Sequence, residues 1–139
     1  MDVLVLIGRI LFVGLFFGSA VGHLTQTKAM AGYAASKGVP AATAATFGSG
    51  VLLLAGALSV LLGVWADLGA LLLALFLLPT AVLMHPFWKE SDPGVRQNEM
   101  LALQKDVSLG GAALMLFAFF AHVGHDLGLT LTGPLFHLS

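Results

Sequence analysis

The sequence predicts an all-α integral membrane protein, folded as an antiparallel four-helix bundle with a short interfacial helix between its first two spanning helices. Of the 139 residues, 58% are hydrophobic and only 9% are charged, whereas soluble domains carry roughly 25% charged residues. The mean hydropathy is +0.98. Four apolar stretches are each long enough to cross a hydrocarbon layer of about 30 Å, which takes about 20 helical residues.

The four spanning helices are expected at residues 3–22, 41–63, 66–88 and 99–122. These stretches are apolar on all sides and do not alternate, so they indicate helices rather than the strands of a membrane barrel. Residues 25–37 and 123–139 are too polar or too broken to span, and they are expected at the membrane interface. The length allows one domain, so residues 1–139 are expected to form a single transmembrane domain.

The first spanning helix carries a row of small residues. Gly14, Gly18 and Gly22 recur at every fourth position, and such rows let two helix backbones approach closely in a membrane. Packing within the bundle is the favoured interpretation. A dimer interface is the alternative, so a homo-oligomer stays open.

Charge and cysteine usage exclude several classes of function. The net charge is −1 and no basic tract is present, so no nucleic-acid partner is expected. The chain has no cysteine, which removes disulfides, thiol redox chemistry and thiolate metal ligands. His122, His125 and Asp126 have only a weak resemblance to a ligand set, so no metal site is predicted.

Connectivity places one group of polar residues at the same side of the membrane. The first helix ends there, the third ends there and the fourth begins there. The candidate ligand-binding residues are His23, His85, Trp88, Asn98, Lys105 and Asp106.

Charged residues at membrane depth are costly unless they find a partner, a cavity or the interface. One interpretation is a polar pocket for a lipid headgroup, a quinone ring or a proton. The other is that Lys105 reaches the interface and pairs with Asp106, while Trp88 belongs to an aromatic belt.

Arg9 belongs to the opposite side, about 20 Å of helical rise from His23 at 1.5 Å per residue. Asp67 and Asp126 are predicted on its side and are candidate partners, as are Asp2, backbone carbonyls and lipid phosphate. A structural cation and a ligand-binding cation are equally supported interpretations.

Lysines and arginines in the short loops predict the orientation. Lys28 and Lys37 follow the first helix, and Lys89 and Arg96 follow the third. Cytoplasmic loops carry an excess of these residues. Loops 24–40 and 89–98 are therefore expected in the cytoplasm.

The order and spacing of several short motifs resemble the DoxX family of four-helix integral membrane proteins. The resemblance extends to about Leu116, with His23 where the family often has Lys and Asp106 where it often has Asn. The motifs are Gly8-Arg9 before a Phe- and Gly-rich helix, the polar residue His23, Gly38-Val39-Pro40, the surroundings of Gly56 and Gly63, His85-Pro86-Phe87-Trp88, and Lys105-Asp106 leading into Gly110-Gly111.

This resemblance implies a location in the bacterial cytoplasmic (inner) membrane and a link to membrane redox systems. The expected function is a membrane subunit that supports a quinone-linked or oxidative-stress oxidoreductase. It would seat a quinone or lipid-like ligand, or anchor a soluble redox partner. An accessory role is expected rather than a stand-alone enzyme, so no catalytic residue is assigned. The alternatives are a non-catalytic assembly module and, less expected without discontinuous helices, a small-solute transporter.

Overall fold

A computed structural model describes the whole chain, residues 1–139. It contains α1 Asp2–Thr25, α2 Thr27–Ser36, α3 Ala42–Leu62, α4 Ala66–Met84, α5 Pro93–Val123 and two short 3₁₀ turns, Phe87–Lys89 and Gly124–Asp126. No strand is present, so the all-α prediction is confirmed. Helices α1, α3, α4 and α5 are long and apolar enough to cross a membrane, and the chain is an integral membrane protein.

Helix α5 begins earlier than residue 99, the start expected from hydropathy. The side chain of Asp92 accepts a hydrogen bond of 2.9 Å from the backbone N–H of Val95, which caps the first turn. Pro93 occupies the first turn, where its missing N–H costs nothing. This polar extension places Glu99 on a regular helix next to the end of α4.

The four long helices pack in the order α1, α3, α4, α5. Contacts are extensive between α1 and α3, between α3 and α4, and between α4 and α5, whereas α1 and α5 do not pack along each other. Helix α2 folds back against α3 and α1 and buries Ala31 and Ala34. The bundle is therefore open between α1 and α5.

Close approach of two helices occurs between α3 and α4. A Cβ added to Gly56 would lie 2.9 Å from the side chain of Leu73, so any larger residue here would displace Leu73. Leu73 belongs to the main apolar core together with Phe16, Leu53 and Ala113. Small residues thus bring helices together as expected, although Gly14 and Gly18 of α1 do not take part.

The prediction that the α1 glycines pack within the bundle is wrong for two of them. Gly14 and Gly18 are exposed, and a Cβ at either would meet nothing within 4 Å. Gly22 alone meets a neighbour, Met30, at 3.6 Å. The helix instead buries a different stripe, three larger residues and one alanine, against α3. The buried stripe is Arg9, Val13, Phe16 and Ala20.

Arg9 ties α1 to α3 and to the C-terminal segment, residues 127–139. Its Nε donates to the carbonyl of Val60 at 2.8 Å, Nη1 donates to Leu129 at 2.8 Å, and Nη2 donates to Leu61. Carbonyls in the last turn of a helix have no partner within that helix and favour a nearby cation. Because only 1% of Arg9 is exposed, these bonds support the structural interpretation.

Asp67 fixes the C-terminal segment from the other side. Its two carboxylate oxygens accept the backbone N–H groups of Leu135 at 2.9 Å and Phe136 at 2.6 Å, and the residue is completely buried. Charge-assisted hydrogen bonds of this kind offset the cost of burying the carboxylate. Asp67 therefore bonds to backbone rather than to Arg9. We call this end of the molecule, marked by Arg9 and Asp67, the arginine end.

Candidate functional site

A cavity of about 570 Å³ lies at the opposite end, which we call the histidine end. All five helices contribute to its lining, and it lies where α1 and α5 leave the bundle open. Phe16, Leu53, Phe76 and Met84 are among its apolar walls. Its polar lining consists of Ser19, His23, Tyr33, Thr46, Ser49, Thr80, His85, Lys105 and Asp106.

His23 is oriented by α3. Its Nδ1 lies 2.7 Å from Oγ of Ser49 and 3.2 Å from the carbonyl oxygen of Thr46. The Ser49 hydroxyl itself donates to the Thr46 carbonyl at 2.8 Å. Both partners are thus acceptors towards the ring, which assigns the proton of neutral His23 to Nδ1. Nε2 is the nitrogen that remains for a ligand.

His85 lies between two carboxylates of α5. Its Nδ1 is 2.8 Å from Oε2 of Glu99, and its Nε2 is 3.5 Å from Oδ2 of Asp106. Helix α4 ends just before His85 because the following Pro86 disfavours a helical conformation at that position. Glu99 and Asp106 are about two turns apart on α5, so they flank the ring.

Lys105 extends the polar lining towards the surface. Its Nζ lies 3.8 Å from Oδ1 of Asp106, and 55% of its side chain is exposed. An ion pair this open to solvent contributes little to stability. Lys105 therefore agrees with both interpretations of the sequence. It reaches the surface and pairs with Asp106, and it also lines the cavity.

Helix α2 covers the outer edge of this polar group. The Tyr33 hydroxyl donates to Oε1 of Glu99 at 3.2 Å. The Lys37 ammonium lies 3.5 Å from Oε1 of Glu90 and 3.9 Å from Oε1 of Glu99. These contacts join α2 to α5 across the open side of the bundle.

The same contacts shift the ionisation of two groups on α2 and just beyond it. Partial burial and the adjacent Glu99 carboxylate raise the pKa of Tyr33 above its ordinary value. Partial burial disfavours the Lys37 ammonium, but Tyr33, Glu99 and Glu90 outweigh that effect, so the pKa of Lys37 is also raised. Both groups therefore hold their protons more tightly than in water.

Four of the six predicted ligand-binding residues line the cavity: His23, His85, Lys105 and Asp106. Trp88 and Asn98 do not. Trp88 follows the Pro86 turn, packs edge-on against Phe87 and is 51% exposed. Asn98 lies on the solvent-facing side of α5, where it is exposed. The spacing of seven residues places Asn98 and Lys105 on one face of α5, whereas Glu99 on the neighbouring face contacts His85.

Several residues of this site were not among the predicted ones. Glu99 was missed, although its spacing from Asp106 places both on one face of α5. Lys37 belongs to the segment 25–37 that the sequence predicts at the membrane interface, and its pairing with Glu99 arises only because α2 folds back. The others are Tyr33, Thr46 and Ser49, for which the sequence carries no specific signal.

The remaining histidines lie elsewhere. The His125 and His137 rings are 6.2 Å apart at the arginine end, and His122 faces the carbonyl of Leu138 at 3.3 Å. No group of three or more His, Asp or Glu side chains is arranged to hold a metal ion.

The chain is similar to a known protein family. The model of the DoxX family matches residues 4–86, which is more than half of the chain and runs from α1 to the end of α4. No curated protein and no solved structure matches the chain.

Proposed function

The chain belongs to the DoxX family, and on this premise we propose that its cavity seats a quinone or a similarly shaped lipid-soluble ligand. The observation that carries the proposal is that His23 and His85 line one apolar cavity inside a membrane bundle. Small-molecule sites combine apolar walls with a few placed polar groups. The cavity has this composition.

The dimensions of the cavity fit a ring with part of its tail. Its volume of about 570 Å³ falls within the range of about 300–1,000 Å³ for ligand sites. The apolar walls accommodate the ring faces and the tail, and the opening between α1 and α5 gives a way in from the lipid. When bound, a quinone supplies an acceptor for two electrons and two protons.

Two groups of side chains would hold the polar edge of such a ring. Neutral His23 offers Nε2 as an acceptor for a ring hydroxyl, and it donates to a ring carbonyl when protonated. At the other wall, the Asp106 carboxylate supplies a hydrogen-bond acceptor, and His85 supplies an imidazole ring that can gain or lose a proton. Tyr33, which lines the cavity while bonding to Glu99, closes the site towards water.

Binding of decylubiquinone to the chain in lipid nanodiscs tests this function by titration calorimetry. His23→Ala and the cavity-filling Thr80→Phe should each weaken binding by about tenfold or more, about 1.4 kcal/mol. His137→Ala is the matched control, because His137 is an exposed histidine at the arginine end. Equal affinity for the parent chain and both cavity variants would reject the proposal.

The wider role that we propose is support of a quinone-linked or oxidative-stress oxidoreductase in the bacterial cytoplasmic membrane. The chain would contribute the lipid-side ligand site, while a partner enzyme supplies the electron transfer. We propose that α2 and the α4–α5 connection face the cytoplasm, because Lys28, Lys37 and Lys89 lie in or next to them and Arg96 lies at the adjoining start of α5. Purification in native lipid followed by mass spectrometry tests the role. Copurifying quinone and an oxidoreductase support it, and their absence counts against it.

A further inference from the structure

Glu99 lies outside the cavity but is connected to its lining. It is not among the residues that line the cavity, whereas its partner His85 is. Its carboxylate contacts Tyr33 and Lys37 at the edge of α2, and 16% of the side chain is exposed. Glu99 therefore reaches water on one side and a cavity-lining imidazole on the other.

His85 is held with both of its ring nitrogens towards carboxylates. Nδ1 is 2.8 Å from Glu99, and Nε2 is 3.5 Å from Asp106, which lines the cavity. A histidine that only needed to be neutralised or anchored would require one such partner. Imidazole can take up a proton on one ring nitrogen and release it from the other, so His85 is positioned to pass a proton between the two carboxylates.

We propose that Glu99, His85 and Asp106 form a proton relay from the water-facing surface beside α2 to the cavity. The use of the relay rests on the proposed function, because a quinone-type ligand takes up protons when it is reduced. The relay itself rests on the three side chains. It gives Glu99 a role beyond the ion pair with Lys37.

The transfer is balanced without any electron. The O–H bond of protonated Glu99 breaks as an N–H bond forms at Nδ1 of His85. The N–H bond at Nε2 then breaks as an O–H bond forms on Asp106. One proton has moved inward, Glu99 is again a carboxylate, and the ring is left in its other tautomer. Exchange with water restores the first tautomer, since 21% of the His85 side chain is exposed.

The charged neighbours on each packed element are consistent with this path. From the α2 side, Tyr33 and Lys37 face Glu99, and Glu90 of the α4–α5 connection shares the Lys37 ammonium. From α5, Lys105 pairs with Asp106 at the cavity. From α1, His23 lines the cavity as well. Cations thus stand at both ends, where they stabilise the carboxylates between transfers.

The lack of cysteine allows a direct measurement. Ser19→Cys places one thiol in the cavity lining, where a small iodoacetamide-linked nitrophenol reports protonation by its absorbance. The labelled chain in nanodiscs is subjected to a stopped-flow pH jump. Adding Glu99→Gln should slow protonation of the label by about tenfold or more, because a positioned carboxylate contributes factors of this order or larger.

Glu90→Gln is the matched control, because Glu90 shares Lys37 with Glu99 but does not contact His85. Its label should be protonated at the parent rate. Equal rates in the Glu99→Gln and Glu90→Gln proteins would overturn the relay and show that protons reach the cavity through water alone. No quinone is present in this assay, so its result is separate from that of the decylubiquinone titration.

Chemical rescue supplies the second readout. His85→Ala should slow protonation of the label, and free imidazole in the buffer should restore much of the rate. A purely structural role of His85 would not be restored by a diffusible base. Slow protonation that imidazole leaves unchanged would therefore also overturn the proposal.

Discussion

Arg9 and Val60 are joined by a buried hydrogen bond of 2.8 Å between the guanidinium Nε and the carbonyl oxygen. The bond lies at the arginine end, away from the cavity, and it uses the charge of Arg9 to hold α1 against the end of α3. The two ends of the bundle thus use their charged residues differently. At the arginine end, the charged side chains form hydrogen bonds with backbone groups. At the histidine end, the charged side chains contact other side chains.

Arg9→Met should destabilise the bundle. It removes donors from three carbonyls, and each buried carbonyl left without a partner costs roughly 1–3 kcal/mol. We expect the free energy of unfolding to fall by more than about 2 kcal/mol, measured by denaturant titration in micelles. The control is Arg96→Met, since Arg96 is exposed. Similar stability of the two variants would refute the structural role of Arg9.

Asp67→Ala should release the C-terminal segment. The carboxylate accepts the N–H groups of Leu135 and Phe136, and its loss leaves both donors without that partner. Hydrogen exchange at these two amides should accelerate. The control is Asp126→Ala, at an exposed acidic residue, which should leave both exchange rates unchanged. Decylubiquinone binding should survive in both variants, because the cavity is at the other end. Protected amides in the Asp67 variant would contradict this assignment.

Tyr33 is the only tyrosine in the chain, so its ionisation can be followed by phenolate absorbance. Burial and the Glu99 carboxylate raise its pKa above the ordinary value of 10.0. Glu99→Gln should lower the pKa of Tyr33 towards that value, and Glu90→Gln should leave it in place. An unchanged titration in the Glu99 variant would contradict the contact between α2 and α5.

The sign of the stability effect follows from this shift. A pKa raised on folding means that folded Tyr33 holds its proton at a pH where the unfolded chain has begun to lose it. Its contribution is complete below pH 10.0 and is lost as the pH rises through the folded pKa. Thermal stability of the parent chain should therefore decline more steeply in this alkaline range than that of Glu99→Gln.

Two glycines should respond in opposite ways to alanine. Gly63 has φ +66, and a Cβ there would lie 2.6 Å from the side chain of Thr130, so Gly63→Ala should destabilise. Gly14 is helical with open space around it, so Gly14→Ala should stabilise by about 0.5–1 kcal/mol through its better helix propensity. Unfolding midpoints in micelles compare the two. Destabilisation by Gly14→Ala would instead indicate that a second chain packs there.

The proposed orientation can be tested with single cysteines. Lys28→Cys in α2 should react with an impermeant maleimide only after the cells are permeabilised. His137→Cys, at the other end of the bundle, should react on intact spheroplasts. The reverse pattern would show that the loop charges do not set the orientation of this chain.

The membrane class and the all-α fold were predictable from the sequence, because hydropathy over long segments depends on local composition alone. Connectivity also predicted that His23, His85 and Asp106 share one end, since each spanning helix reverses the direction of the chain. The family resemblance followed from motif order and agrees with the matched residues 4–86.

Only the tertiary structure decided which polar residues meet. Asn98 and Glu99 are adjacent in sequence, yet the rotation of α5 on α4 turns Glu99 to His85 and leaves Asn98 in solvent. The same packing decides that Arg9 bonds to backbone carbonyls rather than to Asp67. Periodicity gives the faces of a helix, but the direction each face points depends on the neighbouring helices, which no local pattern contains.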